Sequence, residues 1–301
     1  MAHTYADLLK TSYRVNWCIE DVIGTRSQLD FSKPFLPETF ARAAVLPFLS
    51  SSERLMLNHI RTRGYLAMFE LVEDFVVPFI GQQADSHQAT DSQCRTSLQN
   101  FVVEENKHRE VFRQFRAEID SRLGVVCESI GPVSDIVAAV LDHSPLALTV
   151  TILGLELMSQ SHYLESIRDQ QDLDAVFKEL LRHHWIEEVQ HAKLDALLLR
   201  DMVQHSDVTR IGAAIDEFFA IGALFDHGFS QQVFLDLSAL ERLRGHTLTA
   251  GHQEQFIAVQ HQALRWTFLG STMRNPNFLA AMETLGDDAR RRVEQAAPTF
   301  S

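Results

Sequence analysis

Apolar residues recur along this chain three or four positions apart over long runs, the spacing of one face of a helix. No stretch sustains the period-two alternation that a half-buried strand requires. Glycine and proline are sparse, at 13 and 8, and most prolines (Pro34, Pro37, Pro47, Pro132, Pro145, Pro276 and Pro298) stand where helices could start or stop. An all-α fold follows. A first helix is expected near residues 3–20, then an extended, proline-containing arm to about 50. Ser51-Ser52-Glu53 offers a helix start, and the first long helix then runs to about Ile80 with Pro78 in its last turn. A polar stretch, Gly81 to Ser92, leads to a second long helix over about 93–122, which Gly124 breaks.

The connection from Gly124 to Pro145 is longer and contains Gly131-Pro132 and a short apolar segment, Ile136 to Leu141. A third long helix, about 146–168, turns tightly through Asp169-Gln170-Gln171-Asp172 into a fourth, about 173–203. A long crossover between the second and third of four helices distinguishes this pattern from a simple up-and-down bundle, whose loops are all short. The remaining segment, 204–301, has room for three more helices. One is rich in Phe218, Phe219, Phe225, Phe229 and Phe234, for which core packing is the plainer explanation than a cofactor site. Nothing marks a linker, so residues 1–301 are expected to form a single domain: an N-terminal helix and arm over 1–50, a four-helix bundle over 51–203 and a helical cap over 204–301.

Two of these helical faces are interrupted by matching words, Glu104-Glu105-Asn106-Lys107-His108 and Glu187-Glu188-Val189-Gln190-His191. Each sets a Glu and a His three residues apart, side by side on one helical face. With 20 Glu and 14 His in the chain, chance supplies about one such match, so the setting matters more than the number. Glu105 shares its face with Phe101, His108, Phe112 and Phe115; Glu188 shares its face with Leu181, His184, His191, Asp195 and Leu198. Titratable groups within apolar stripes need partners once buried, and a metal ion is the economical one.

A pair of metal ions held between four helices requires one more carboxylate from the first helix and one from the third. The third and fourth helices are antiparallel about a turn near residue 171, which places the residue level with Glu188 about 17 positions before the turn. Glu156 lies 15 before it, whereas Glu165 lies 6 before and would sit about 16 Å too near the turn. On the first helix Glu73 keeps company with Leu66, Phe69, Val76, Val77 and Ile80, while Glu70 shares its side with Arg63 and Asp74. Glu73 is therefore the choice over Glu70. The interval from Glu73 to Glu105 also equals that from Glu156 to Glu188, 32 residues. Four carboxylates balance two divalent cations. Oxygen and imidazole donors suit iron or manganese, which points to two iron ions, with a mixed Mn/Fe pair left open. Glu104, Glu187 and Asp195 stand where they could hydrogen-bond the ligand imidazoles from outside, and His162 and Tyr163 where they could line a pocket beside Glu156.

With these residues in place, positions 51–203 resemble the ferritin-like diiron oxygenases and oxidases. Within that group, His184 four residues before Glu188 makes the run His-x-x-x-Glu-x-x-His, which is similar to the p-aminobenzoate N-oxygenase family. The resemblance implies His184 as a third imidazole ligand, a diiron cofactor, dioxygen as co-substrate and oxidation of an amine. It also implies an external electron donor.

Charge and cysteine content narrow the setting. A formal net charge of −13 disfavours nucleic acid and anionic membrane as partners. Three scattered cysteines, Cys18, Cys94 and Cys127, form neither a disulfide frame nor a zinc motif, and no segment has the length and apolarity of a membrane span or signal sequence. A cytoplasmic enzyme acting on a small organic molecule is the expectation, with a homodimer as the general expectation for such enzymes. Its substrate could equally be an aldehyde, a fatty chain or an amino acid. A non-catalytic ferritin-like iron-binding protein is the rival reading, and the hundred residues beyond the bundle speak against it.

Overall fold

The computed structural model describes residues 4–24, 28–86 and 92–300, and every regular element among them is helical. The chain opens with α1 (Tyr5–Val15), capped by the Thr4 side chain, and α2 (Ile19–Val22). The single helix expected over 3–20 is thus two, parted at Asn16-Trp17-Cys18; residue 3 lies outside the described residues. An arm containing the one-turn α3 (Glu38–Ala41) then leads to α4 (Ser51–Ser86). This helix passes straight through Pro78 and continues well beyond Ile80. Proline removes one intrahelical bond at a cost of about 3 kcal/mol, but Phe79 and Ile80 beyond it are buried, each contributing about 1.5–3 kcal/mol, and the helix continues. Of the polar stretch expected between Gly81 and Ser92, residues 81–86 are helical and 87–91 lie outside the described residues.

Helix α5 (Ser92–Leu123) stops where Gly124 takes a left-handed backbone conformation (φ 69°). The crossover carries α6 (Val133–Leu141) and ends at Ser144, whose side chain caps α7 (Pro145–Ser161). Every residue from Leu146 to Ser159 is buried, so α7 is the central helix, apolar all round save for the groups it delivers. It finishes in a π-helical turn, His162–Ile167, before α8 (Ala175–Gln204), capped by Asp174.

Beyond the bundle there are five helices where three were expected: α9 (Val208–Arg244), α10 (Ala250–Arg265), α11 (Ser271–Arg274), α12 (Pro276–Glu283) and α13 (Asp287–Ala296). A second π-helical turn, Trp266–Gly270, joins α10 to α11. Short helices at Asn275 and Gly286 breaks carry too little periodicity to stand out in a sequence.

Antiparallel pairs α4/α5 and α7/α8 form the bundle, with the crossover between them, so the arrangement is ferritin-like. Helix α1 lies against α5 and α8 on one side, and α9 lies against α4 and α7 on the other. Phe225 and Phe229 of α9 are core residues, packed near Phe75 and Phe268, and Phe218 meets Phe278; Phe234 is instead 57% exposed. One continuous apolar core runs from Leu8 to Leu269. Among the described residues no single helix is long and apolar enough to cross a membrane.

Candidate metal centre

Four bundle helices bring Glu73 (α4), Glu105 and His108 (α5), Glu156 (α7), and His184, Glu188 and His191 (α8) into the interior, none more than 5% exposed. Donor atoms of Glu105, His108, Glu188 and His191 all lie within 4.8 Å of one another, and those of Glu73, His108 and His184 form a second, overlapping group. His191 Nδ1 is 2.7 Å from Glu105 Oε1, and His108 Nδ1 is 3.0 Å from Glu105 Oε2 and 3.2 Å from Glu188 Oε1. His184 Nε2 stands 3.1 Å from Glu188 Oε1 and 4.0 Å from Glu73 Oε1. Glu156 is outside both groups. It is buried on the facing helix, level with Glu188: Gln160 Nε2 donates to the backbone carbonyls of both Glu156 and Glu188, at 3.2 and 3.1 Å. Glu70 points elsewhere, to Arg113 and Arg116.

Buried polar atoms are nearly always hydrogen-bonded. Here Glu73 Oε2, Glu105 Oε1, Glu156 Oε2, His184 Nε2, Glu188 Oε1 and His191 Nδ1 have no hydrogen-bond partner, so six of the seven residues turn an unsatisfied donor atom into the interior. Such a concentration of orphans is what a carboxylate–imidazole cluster suited to a pair of metal ions requires.

The outer side of the cluster is built reciprocally. His108 Nε2 donates to Glu187 Oε2 at 2.8 Å, and His191 Nε2 donates to Glu104 Oε2 at 2.8 Å, each imidazole reaching the word on the other helix. With Nε2 carrying the proton, Nδ1 of each ring is left to face inward. The residue before each histidine completes the pattern: Lys107 donates to Glu187, and Gln190 Nε2 donates to Glu104 Oε2 at 2.8 Å. Lys107 and Gln190 hold the same position in the two words. Asp195 does not join this set. Both its oxygens are buried without a partner, and the outer nitrogen of His191 is already taken by Glu104.

The N-terminal helices cover this outer layer, a contact that no local spacing in the chain announces. Ser12 donates to Glu104 Oε1 at 2.7 Å. Trp17, in the break between α1 and α2, stacks on His108 with ring centroids 5.9 Å apart, and the Lys107 ammonium sits 4.1 Å from the Trp17 ring centroid. His162 and Tyr163 face away from the centre, the first towards Tyr65 and Ser271, the second onto Trp185.

Protons take the place of cations in the metal-free cluster. Burial drives the Glu73 carboxyl well above its ordinary pKa, with Glu105 and Glu188 adding repulsion, and burial likewise raises Glu188 and Asp195. Burial opposes charge on Glu105 too, but the facing His191 and His108 outweigh it and hold Glu105 well below the usual range. Burial disfavours the His108 imidazolium, yet Glu105 overcomes this and pushes its pKa up to about 10. His191 is raised in the same way, whereas burial and the nearby His108 lower His184.

The centre therefore defines a helical bundle with a buried carboxylate–imidazole site of the dimetal kind. No family model and no curated protein matches the chain. Among solved structures, a mutant R2-like ligand-binding oxidase with an aerobically reconstituted Mn/Fe cofactor is similar at 13% identity and a TM-score of 0.45, over 88% of this chain and 94% of that one.

Proposed function

We propose that this protein is a dimetal oxidase or oxygenase that uses dioxygen to oxidise a small organic substrate, with two iron ions, or a Mn/Fe pair, as cofactor. The observation that carries it is the pair of overlapping buried donor groups, Glu105, His108, Glu188 and His191 with Glu73, His108 and His184, in which most of the inward atoms lack a hydrogen-bond partner. Glu73, Glu105, Glu156 and Glu188 with His108, His184 and His191 would hold the ions, and when bound these would supply the redox chemistry of dioxygen reduction. Glu104 and Glu187 keep the outer nitrogens of two imidazoles protonated and the inner ones available. The apolar walls, with Phe101 stacked on His191 at 3.9 Å and Phe69 and Phe112 edge-on to His184 at 5.2 and 5.0 Å, exclude water.

The extra imidazole of His184 favours N-oxygenation of an amine as the reaction, and an aldehyde, fatty or amino-acid substrate is the second reading. The enzyme draws electrons from an external donor and works in the cytoplasm, in keeping with three cysteines, Cys18, Cys94 and Cys127, that form no disulfide among the described residues. Anaerobic titration of the metal-free protein with ferrous iron tests the assignment. It is expected to show two tightly bound ions per chain that a folded Glu188→Ala variant cannot hold, followed by substrate-dependent oxygen uptake when arylamines are supplied. Absence of tight iron binding in the wild type would sink it.

A further inference from the structure

Tyr65 is fully interior, and its hydroxyl lies 3.0 Å from His162 Nδ1; His162 Nε2 in turn lies 3.1 Å from Ser271 Oγ. Proton positions in this chain follow from its far end. Ser271 Oγ donates to the Thr267 carbonyl at 2.6 Å, so its single proton is committed and the oxygen can only accept from His162. Nε2 of His162 must then carry its ring proton, which leaves Nδ1 bare to accept the Tyr65 O–H. Burial holds the His162 pKa down to about 3, so the resting ring is neutral, and only a proton source as acidic as an oxidised phenol would protonate it. The result is a hydrogen-bond chain that runs one way, from the phenol outward.

The backbone is distorted to build it. His162 begins the first π-helical turn, while Thr267 lies in the second and Ser271 directly follows it. π-turns are rare and gather at functional sites. Tyr65 also has a path to the metal centre. Tyr65, Phe69 and Glu73 follow at four-residue intervals on one face of α4, about 12 Å of helix in all. The Tyr65 and Phe69 rings are 4.8 Å apart, and Phe69 is edge-on to His184 at 5.2 Å. Among the described residues Tyr65 alone of the tyrosines has an imidazole at hydrogen-bond distance; Tyr5 meets Asp201, Tyr13 is exposed and Tyr163 stacks on Trp185.

We propose that Tyr65 is a one-electron redox site coupled to the metal centre, with His162 as its proton acceptor. Taking an electron from a phenol makes it a strong acid, and in a dry interior the cation would be too costly unless the proton has somewhere to go. Once bound metal ions had been oxidised by dioxygen, Tyr65 would supply one electron towards them, with Phe69 and His184 lying along the path. Its proton crosses to His162 Nδ1. One O–H bond breaks and one N–H bond forms, leaving a neutral phenoxyl group and an imidazolium held by Ser271. Such a site stores an oxidising equivalent away from the ligands when no substrate is present.

The inference rests on the dimetal reading, and the experiment separates the two. Wild-type, Tyr65→Phe and His162→Gln proteins are loaded anaerobically with ferrous iron, their ions counted, exposed to oxygen without organic substrate, and frozen for electron paramagnetic resonance. Gln can accept the phenol hydrogen bond but cannot take up its proton. The wild type is expected to show a radical signal that narrows when the protein is made with ring-deuterated tyrosine; both variants are expected to lose it while binding the same amount of iron. Iron bound with no tyrosyl signal, or a signal that survives Tyr65→Phe, overturns the proposal alone. A signal unchanged in His162→Gln overturns the role of His162. Failure of the wild type to bind iron overturns the metal reading and this inference together.

Discussion

A carboxylate that accepts a hydrogen bond from a ligating imidazole makes that imidazole a better donor and fixes its tautomer. In the proposed centre Glu187 would do this for His108, whose outer nitrogen donates to it while Lys107 holds it from the other side. Replacing it in a Glu187→Gln variant keeps the size of the side chain and removes the charge. The expected outcome is a loss of about 10–100-fold in metal affinity, read by competition with a chelator, together with a lower thermal stability of the metal-free protein, because Lys107 and His108 lose their buried carboxylate partner. Unchanged affinity would show that the outer glutamate is only packing. Much at this scale was legible beforehand because the spacing of Glu and His on a helix is local: Glu105 with His108, Glu188 with His191, and Glu73 over Glu70 by its apolar companions. The roles of Lys107, Gln190, Ser12 and Trp17 were not, since each depends on how α5, α8 and the N-terminal helices dock. Asp195 shares the ligand face by periodicity, but the docking of α5 on α8 pairs Glu104 with His191 and leaves Asp195 level with Asn100, whose amide is directed to Glu104.

Helix α4 carries Glu73 and Tyr65, and its passage through Pro78 is set by burial rather than by propensity. A Pro78→Ala substitution returns the missing backbone donor to the helix and is expected to raise stability by up to about 3 kcal/mol, measured by urea denaturation of the metal-free protein. A fall in stability would mean that the local backbone has come to depend on the proline. The four long helices and the crossover could be read from hydrophobic spacing because each is long enough to repeat its pattern many times. Elements of fewer than about three turns could not, and neither could the two π-turns, which differ from α-helix by a single residue and leave the periodicity on either side intact. Their importance shows only in what they juxtapose, His162 with Ser271.

Stability of the whole molecule should depend on pH in a way that metal alters. The folded His108 pKa, about 10, stands above its ordinary value of 6.5, so the metal-free fold binds this proton more tightly than the unfolded chain does. That contribution is fully present below 6.5 and disappears as pH rises to about 10. The raised Glu73 and Glu188 carboxyls work in the same direction from their ordinary value of 4.5 upward. Metal-free protein is therefore expected to melt at a lower temperature at pH 9 than at pH 6.5, by calorimetry, and the metal-loaded protein to lose less over that interval, because deprotonated ligands are what the ions require. Equal slopes would mean that these groups do not change state between the two forms. One feature of the centre reaches further than its geometry. The two Glu-Glu words are related by a near two-fold arrangement, yet Glu187 has an ammonium, Lys107, in addition to the imidazole of His108, while Glu104 has the imidazole of His191 and otherwise only neutral donors from Ser12, Asn100 and Gln190. The side of His191 thus carries one fixed positive charge fewer, and the binding positions on the two sides are unequal in electron supply. Loading is expected to be stepwise, with a first ion taken preferentially beside His191, and Lys107→Gln should draw the two steps of an iron titration together. A pair of positions that differ before any ion arrives is how a nearly symmetric scaffold can tell one metal from another.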